Sequence, residues 1–86
     1  MKPDPLLPAV QEILFRDWDP IGLNHNEQCL GEYDSYAPGI CRLLRAGIDM
    51  YKLSERFANL QRVGMGLALV DKARLTAVAQ RLLDLL

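Results

Sequence analysis

The sequence of 86 residues predicts an all-α fold: a single domain over residues 1–86, built as a small antiparallel four-helix bundle with a long loop between helices one and two. Apolar residues recur at steps of three and four in four separate stretches. No stretch sustains the apolar–polar alternation of a half-buried strand. Three of the stretches follow one another closely, as antiparallel helical neighbours do.

The first stripe runs through Leu6, Leu7, Val10, Ile13, Leu14 and Trp18. Pro5 and Pro8 cannot both occupy the first turn, so regular helix is expected from near Pro8. It should stop before Pro20, because a residue preceding proline is pushed out of the α region. Residues 19–31 hold turn formers and no period, which marks a loop longer than most connections in a small domain.

The second stripe uses Tyr33, Tyr36, Ala37, Ile40, Leu43 and Leu44 and closes at Gly47, with Ile48 behind it as a Schellman motif prefers. Pro38 allows two starts. Asp34 or Ser35 could cap a helix whose first turn contains Pro38, or the helix could begin near Glu32 and bend at Pro38. Tyr33 and Tyr36 already follow the stripe, which favours the earlier start.

Asp49 and Asp71 are expected N-caps of helices three and four, with Ile48/Leu53 and Val70/Leu75 at the staple positions. Helix three should turn Leu53, Phe57, Leu60 and Val63 inward and end at Gly64-Met65-Gly66, where either glycine could supply the left-handed cap. Helix four carries Leu75, Val78, Ala79, Leu82, Leu85 and Leu86. The seven-residue spacings of Leu75/Leu82 and Val78/Leu85, with Leu83 and Leu86 on the flank, suggest a homodimer through Leu75, Val78, Leu82, Leu83 and Leu86.

With 50% hydrophobic and 24% charged residues, composition excludes disorder and low-complexity architectures. Cys29 and Cys41 are too few for a disulfide scaffold and sit in no CxxC pattern, so a reduced, cytoplasmic protein is expected. The N-terminal residues lack the apolar core of a secretory signal, and no apolar run is long enough to span a membrane. Net charge is −1, yet residues 1–34 set two cations against seven anions and residues 35–86 eight cations against four. The simplest reading folds the acidic segment onto the chain's own basic helices; the alternative keeps an acidic face for a basic partner. The basic residues form no run and the pI is about 5.7, which gives nucleic-acid binding little support.

Asp17, Asp19, Glu32 and Asp34 bracket the long loop and are the candidate partner-binding residues. As oxygen ligands they fit no calcium-loop template: counted from Asp17, Ile21 and Gln28 fall where ligands are required. Capping, turn formation and pairing with Arg42 or Arg45 account for them more simply. His25 and Cys29 are four apart but have no third orienting residue and no zinc-like ligand set. Cys41 reads as a small buried apolar residue. No phosphate-cradling loop, serine elbow or HExxH occurs, so no catalytic residue, metal or cofactor is expected. Trp18, Tyr33 and Tyr36 all fall on apolar stripes and read as an aromatic plug closing a thin core. In Trp18-Asp19-Pro20-Ile21-Gly22, Gly22 is expected in a conformation awkward for other residues and Pro20 to hold an extended exit from helix one.

Trp18-Asp19-Pro20-Ile21-Gly22, Glu32-Tyr33-Asp34-Ser35-Tyr36-Ala37-Pro38-Gly39-Ile40 with Arg42-Leu43-Leu44, and Met65-Gly66-Leu67 together resemble a family of small bacterial helical proteins of unknown function, similar to the DUF1871 group. The likeness covers roughly residues 10–67, and this chain has Gly31 where that family often has an acid. It implies an all-helical fold and no established activity; some relatives look like immunity or accessory proteins near bacterial toxins. The expectation is therefore a non-enzymatic cytoplasmic module that binds another protein, in an immunity-type version through the acidic loop. The alternatives are a metal-dependent enzyme or metal-binding module using Asp19, Glu32 and Asp34, and a purely structural homodimer.

Overall fold

Helix α1 (Leu7–Ile13) begins with Pro8 in its first turn, where a missing N–H costs nothing. Asp4 satisfies the amides ahead of it, its side chain accepting from the Leu6 N–H at 2.9 Å and its carbonyl from Leu7 at 2.9 Å. The helix then widens into a π-helical turn, Leu14–Trp18, closed by the Asp19 N–H donating to the Leu14 carbonyl five residues back at 3.0 Å. Widening the turn broadens the inward face. Ile13, Leu14 and Phe15 are buried in succession, and Phe15 joins the core although it stands off the three/four stripe.

The computed structural model describes residues 4–20, 22, 26–29, 31–67 and 70–86. Asp19 leaves the π turn in the left-handed region at φ 33°, a conformation that aspartate tolerates better than most residues. Its carbonyl accepts from the Gly22 N–H at 3.3 Å, and Gly22 has φ 73°. The expected positive-φ glycine is therefore present. Ile21 of the same segment and His25 of the His25–Cys29 pair lie outside the described residues. Within the sequence expected to be loop, Glu27–Cys29 forms one 3₁₀ turn.

Helix α2 (Ala37–Arg45) corrects the expected start. Pro38 lies in its first turn, and Asp34–Tyr36 form a separate 3₁₀ turn rather than an early helical segment bent at Pro38. The proline ring excludes a carbonyl four residues back, so the chain enters α2 through the tighter turn. At its end, Gly47 (φ 83°) donates to Leu44 at 3.1 Å and Ile48 to Leu43 at 3.2 Å, the paired bonds of a Schellman motif.

Helix α3 (Met50–Asn59) is capped by Asp49, whose side chain accepts from the Lys52 N–H at 2.7 Å. It too widens into a π-helical turn, Leu60–Gly64, closed by Met65 N–H to Leu60 carbonyl at 3.0 Å. The expected inward stripe fails at this turn. One residue more per turn advances the face, so Gln61 is buried while Val63 points to solvent at 80% exposure. Gly66 (φ 67°), not Gly64, takes the left-handed position. Helix α4 (Lys72–Leu83) is capped by Asp71, which accepts from the Arg74 N–H at 3.1 Å.

α3 packs along α4, α1 lies against α2 and α4, and the π turn following α1 also meets α4. The four helices form an all-helical structure without strands among the described residues. The Cα radius of gyration, 12.3 Å, matches the roughly 12 Å of a compact chain this long. Among the described residues, no helix is long and apolar enough to cross a membrane. Leu75, Val78 and Leu82 are buried in this core and Leu83 packs against it, so of the five expected dimer residues only Leu86 is a large exposed hydrophobic. The seam serves the chain's own core because α3 needs an apolar face to cover its own.

Leaving out its chain neighbours, no heavy atom of the described residues stands within 4 Å of a Cβ built on Gly22, and its positive φ sets the cost of a side chain there. Gly22→Val should lose about 1–2 kcal/mol, lowering the melting temperature by roughly 4–8 °C per kcal/mol in a domain of this size. Thermal denaturation followed by circular dichroism checks it.

Candidate functional site

A hydrogen bond joins the two π-helical turns: Trp18 Nε1–H donates to Gln61 Oε1 at 2.8 Å, with both residues buried. A buried indole N–H without an acceptor is costly, so the polar side chain that the second π turn swings inward has a definite task. Around the indole, Phe57 lies at a ring-centroid distance of 4.8 Å, Tyr33 at 5.5 Å and Tyr36 at 5.6 Å, the last edge-on. Trp18 and Tyr33 are buried and Tyr36 half-buried, which makes the aromatic group a plug rather than an exposed patch. Gln61 is the residue that sequence patterning missed. The sequence carried no signal of it, because Val63 continues the three/four stripe of Leu53, Phe57 and Leu60.

The acidic residues do not form a common face. Asp19 is buried at 6% exposure and accepts a 2.9 Å hydrogen bond from the Tyr33 hydroxyl, so it belongs to the interior and corrects the expectation of a partner-facing acid. Asp17 is half-buried; its carboxylate pairs with Arg81 at 3.0 Å and its carbonyl accepts from Arg74 Nε at 3.2 Å. Asp34 is half-buried and Glu32 exposed. Among the described residues, no three of His, Cys, Asp and Glu gather where they could hold a metal.

The acidic segment does fold onto basic helices, through the expected Arg45, though with Asp4 rather than a loop acid, and through Arg81, which was not expected. Arg45 pairs with Asp4 at 2.7 Å, and Arg81 with Asp17. The Arg45 guanidinium, with the Leu6 N–H, holds the Asp4 carboxyl below the usual aspartate range, and Asp4 in turn raises Arg45. Cys41 is buried, and burial, aided by the nearby Asp4 charge, pushes its thiol up, the reverse of what a nucleophilic cysteine needs. Cys29 is half-buried against the core.

A hollow of about 160 Å³ opens beside the plug, lined by Trp18, Asp19, Pro20, Gln61, Asp71, Arg74 and Leu75. Its polar groups hold the fold: Asp71 caps α4, Arg74 ties α4 to the Asp17 carbonyl, and Gln61 receives the indole N–H. More solvent-facing are two depressions that both have Arg56 and Leu60 in their lining: one of about 180 Å³ between α2 and α3, and one of about 260 Å³ along the end of α3 and its π turn. Comparison with protein-family models, curated proteins and solved structures gives no significant match.

Trp18→Ala should cost on the order of 3–5 kcal/mol in urea denaturation. Gln61→Leu, which strands the indole N–H, should cost about 1–3 kcal/mol. Added to Trp18→Phe, which has already removed that donor, Gln61→Leu should cost at least about 1 kcal/mol less than it does alone, a coupling that a double-mutant cycle reads directly. Asp4 sets an acid limb: its carboxyl is lowered in the folded chain, so its contribution is complete above the unfolded value near 3.8 and drains as pH falls through the lower folded value. Asp4→Asn should flatten the fall in melting temperature below pH 4 and leave the other carboxylates' share intact.

Proposed function

We propose that this chain is a non-enzymatic, cytoplasmic helical module, with its helices in an antiparallel bundle, that works by binding another protein. The observation carrying the reading is the placement of exposed apolar surface. Of the large hydrophobics exposed among the described residues, Met50, Tyr51 and Val63 all stand on α3 or its π turn, at 37%, 74% and 80% exposure, with Leu86 the other. Scattered exposed hydrophobics are ordinary; three on one fifteen-residue element, over a core that is otherwise closed, favour a partner for that element.

The family resemblance supports an accessory or immunity-type setting. In that version a basic partner would be met by the exposed Glu32 and the half-buried Asp34, with Glu12 also exposed. A metal-dependent role for Asp19, Glu32 and Asp34 has less support, since Asp19 is turned into the core.

The test is purification of the tagged chain from native extract with native mass spectrometry of the eluate, for wild type and for Tyr51→Ser/Val63→Asp. Wild type should carry one partner in fixed stoichiometry and the variant should lose it at an unchanged melting temperature. A wild type that elutes without a stoichiometric partner overturns the reading; loss of the partner from Glu32→Gln/Asp34→Asn instead moves the contact to the acidic loop.

A further inference from the structure

We propose that the groove between α2 and the C-terminal half of α3 docks an acidic amphipathic helix of a partner protein, an assignment that rests on the protein-binding reading above. The two depressions described there share Arg56 and Leu60 and form one continuous surface. Its lining is mixed, and its apolar part comes from Tyr36, Leu43 and Leu60, half-buried against the core, and from the exposed Val63 at the end of the groove. Val63 reaches this position because the π turn displaces it from the core, so the feature that turns Gln61 inward also supplies the groove with an apolar rim.

The charge of the groove selects its occupant. Arg42 and Arg56 line it, both are exposed, and no carboxylate is among its lining residues. Three arginines outside the groove do meet carboxylates: Arg16 meets Glu12, Arg45 meets Asp4, and Arg81 meets Asp17. Among the described residues no ion pair involves Arg42 or Arg56. An occupant must therefore bring apolar side chains for Leu43, Leu60 and Val63 and carboxylates for the two guanidiniums. A helix with apolar residues at i, i+3 or i+4 and i+7 and acids on its flanks carries both at the right periodicity. Arginine at a groove edge also suits bidentate contact with carboxylates and steers encounter by charge. The wall formed by α2, nine residues and about 13 Å long, matches two to three turns of such a helix.

The experiment titrates the full-length, isotope-labelled chain with a synthetic helical peptide bearing leucines at positions 1, 4, 8 and 11 and glutamates between them, followed by amide chemical shifts. A control peptide replaces every glutamate with glutamine. The glutamate peptide should shift Tyr36, Leu43, Arg56, Leu60 and Val63, bind about tenfold more tightly than the control, and lose most of that advantage in 0.5 M salt. Arg42→Gln/Arg56→Gln should abolish the difference between the peptides, and Val63→Asp should weaken both. All three positions are exposed, and melting curves confirm that the variants fold. Equal binding of the two peptides, shifts confined to Tyr51, Glu55 and Thr76 between α3 and α4, or no shifts at all would overturn the proposal. So would self-association of the wild type through these residues in sedimentation, which gives the groove to a second copy. A native-extract partner that survives Arg42→Gln/Arg56→Gln and Val63→Asp overturns the groove and leaves the protein-binding reading standing.

Discussion

The hydrogen bond from Trp18 to Gln61 is the contact around which this small core is arranged. A domain of this size has little apolar area to spare, and its largest side chain carries a donor that must be satisfied inside. The chain meets that demand by placing a π-helical turn on each side of the bond. The turn at Leu14–Trp18 brings the indole inward together with Phe15, and the turn at Leu60–Gly64 brings its acceptor. Tyr33, Tyr36 and Phe57 then surround the ring, which ties the segment before α2 to α1 and α3 at one point. Asp19 extends the same logic by accepting the Tyr33 hydroxyl immediately beyond the first π turn.

These turns also shape the surface. A π turn shifts every following side chain relative to the helix before it, so a residue that enters the core on one side displaces another to solvent. Gln61 and Val63 are such a pair. The exposed valine is thus the counterpart of a buried hydrogen bond. The first turn leaves a similar mark, since the Asp17 carbonyl receives Arg74 of α4 while its carboxylate receives Arg81.

The charge asymmetry between the two halves of the chain resolves along the same contacts. Asp4 and Asp17 each take an arginine from a later helix, Asp19 is drawn inside, and the acidic segment becomes part of the structure that holds α1 to α2 and α4. Exposed ion pairs of this kind contribute little stability individually. Among the described residues, Arg42 and Arg56 between α2 and α3 take part in none.

Helical periodicity, two aspartate caps and the Gly47-Ile48 pair were enough to read four helices from the chain, because each is a local device whose partners lie within a few residues. The aromatic plug was legible for the same reason: Trp18, Tyr33 and Tyr36 each sit on an apolar stripe. What periodicity could not reveal was a change of period. It treated α3 as continuing at 3.6 residues per turn, and so put Val63 inside and passed over Gln61. It likewise read Asp19 as a surface acid, since aspartate is usually exposed and its acceptor role depends on Tyr33, fourteen residues away. The sequence alone determined the helices, their caps and most of the core, through interactions between near neighbours. Only the tertiary structure decided which acids face solvent, which polar side chain enters the core and which apolar one leaves it, because those choices are set by a donor and an acceptor that folding brings together from 43 residues apart.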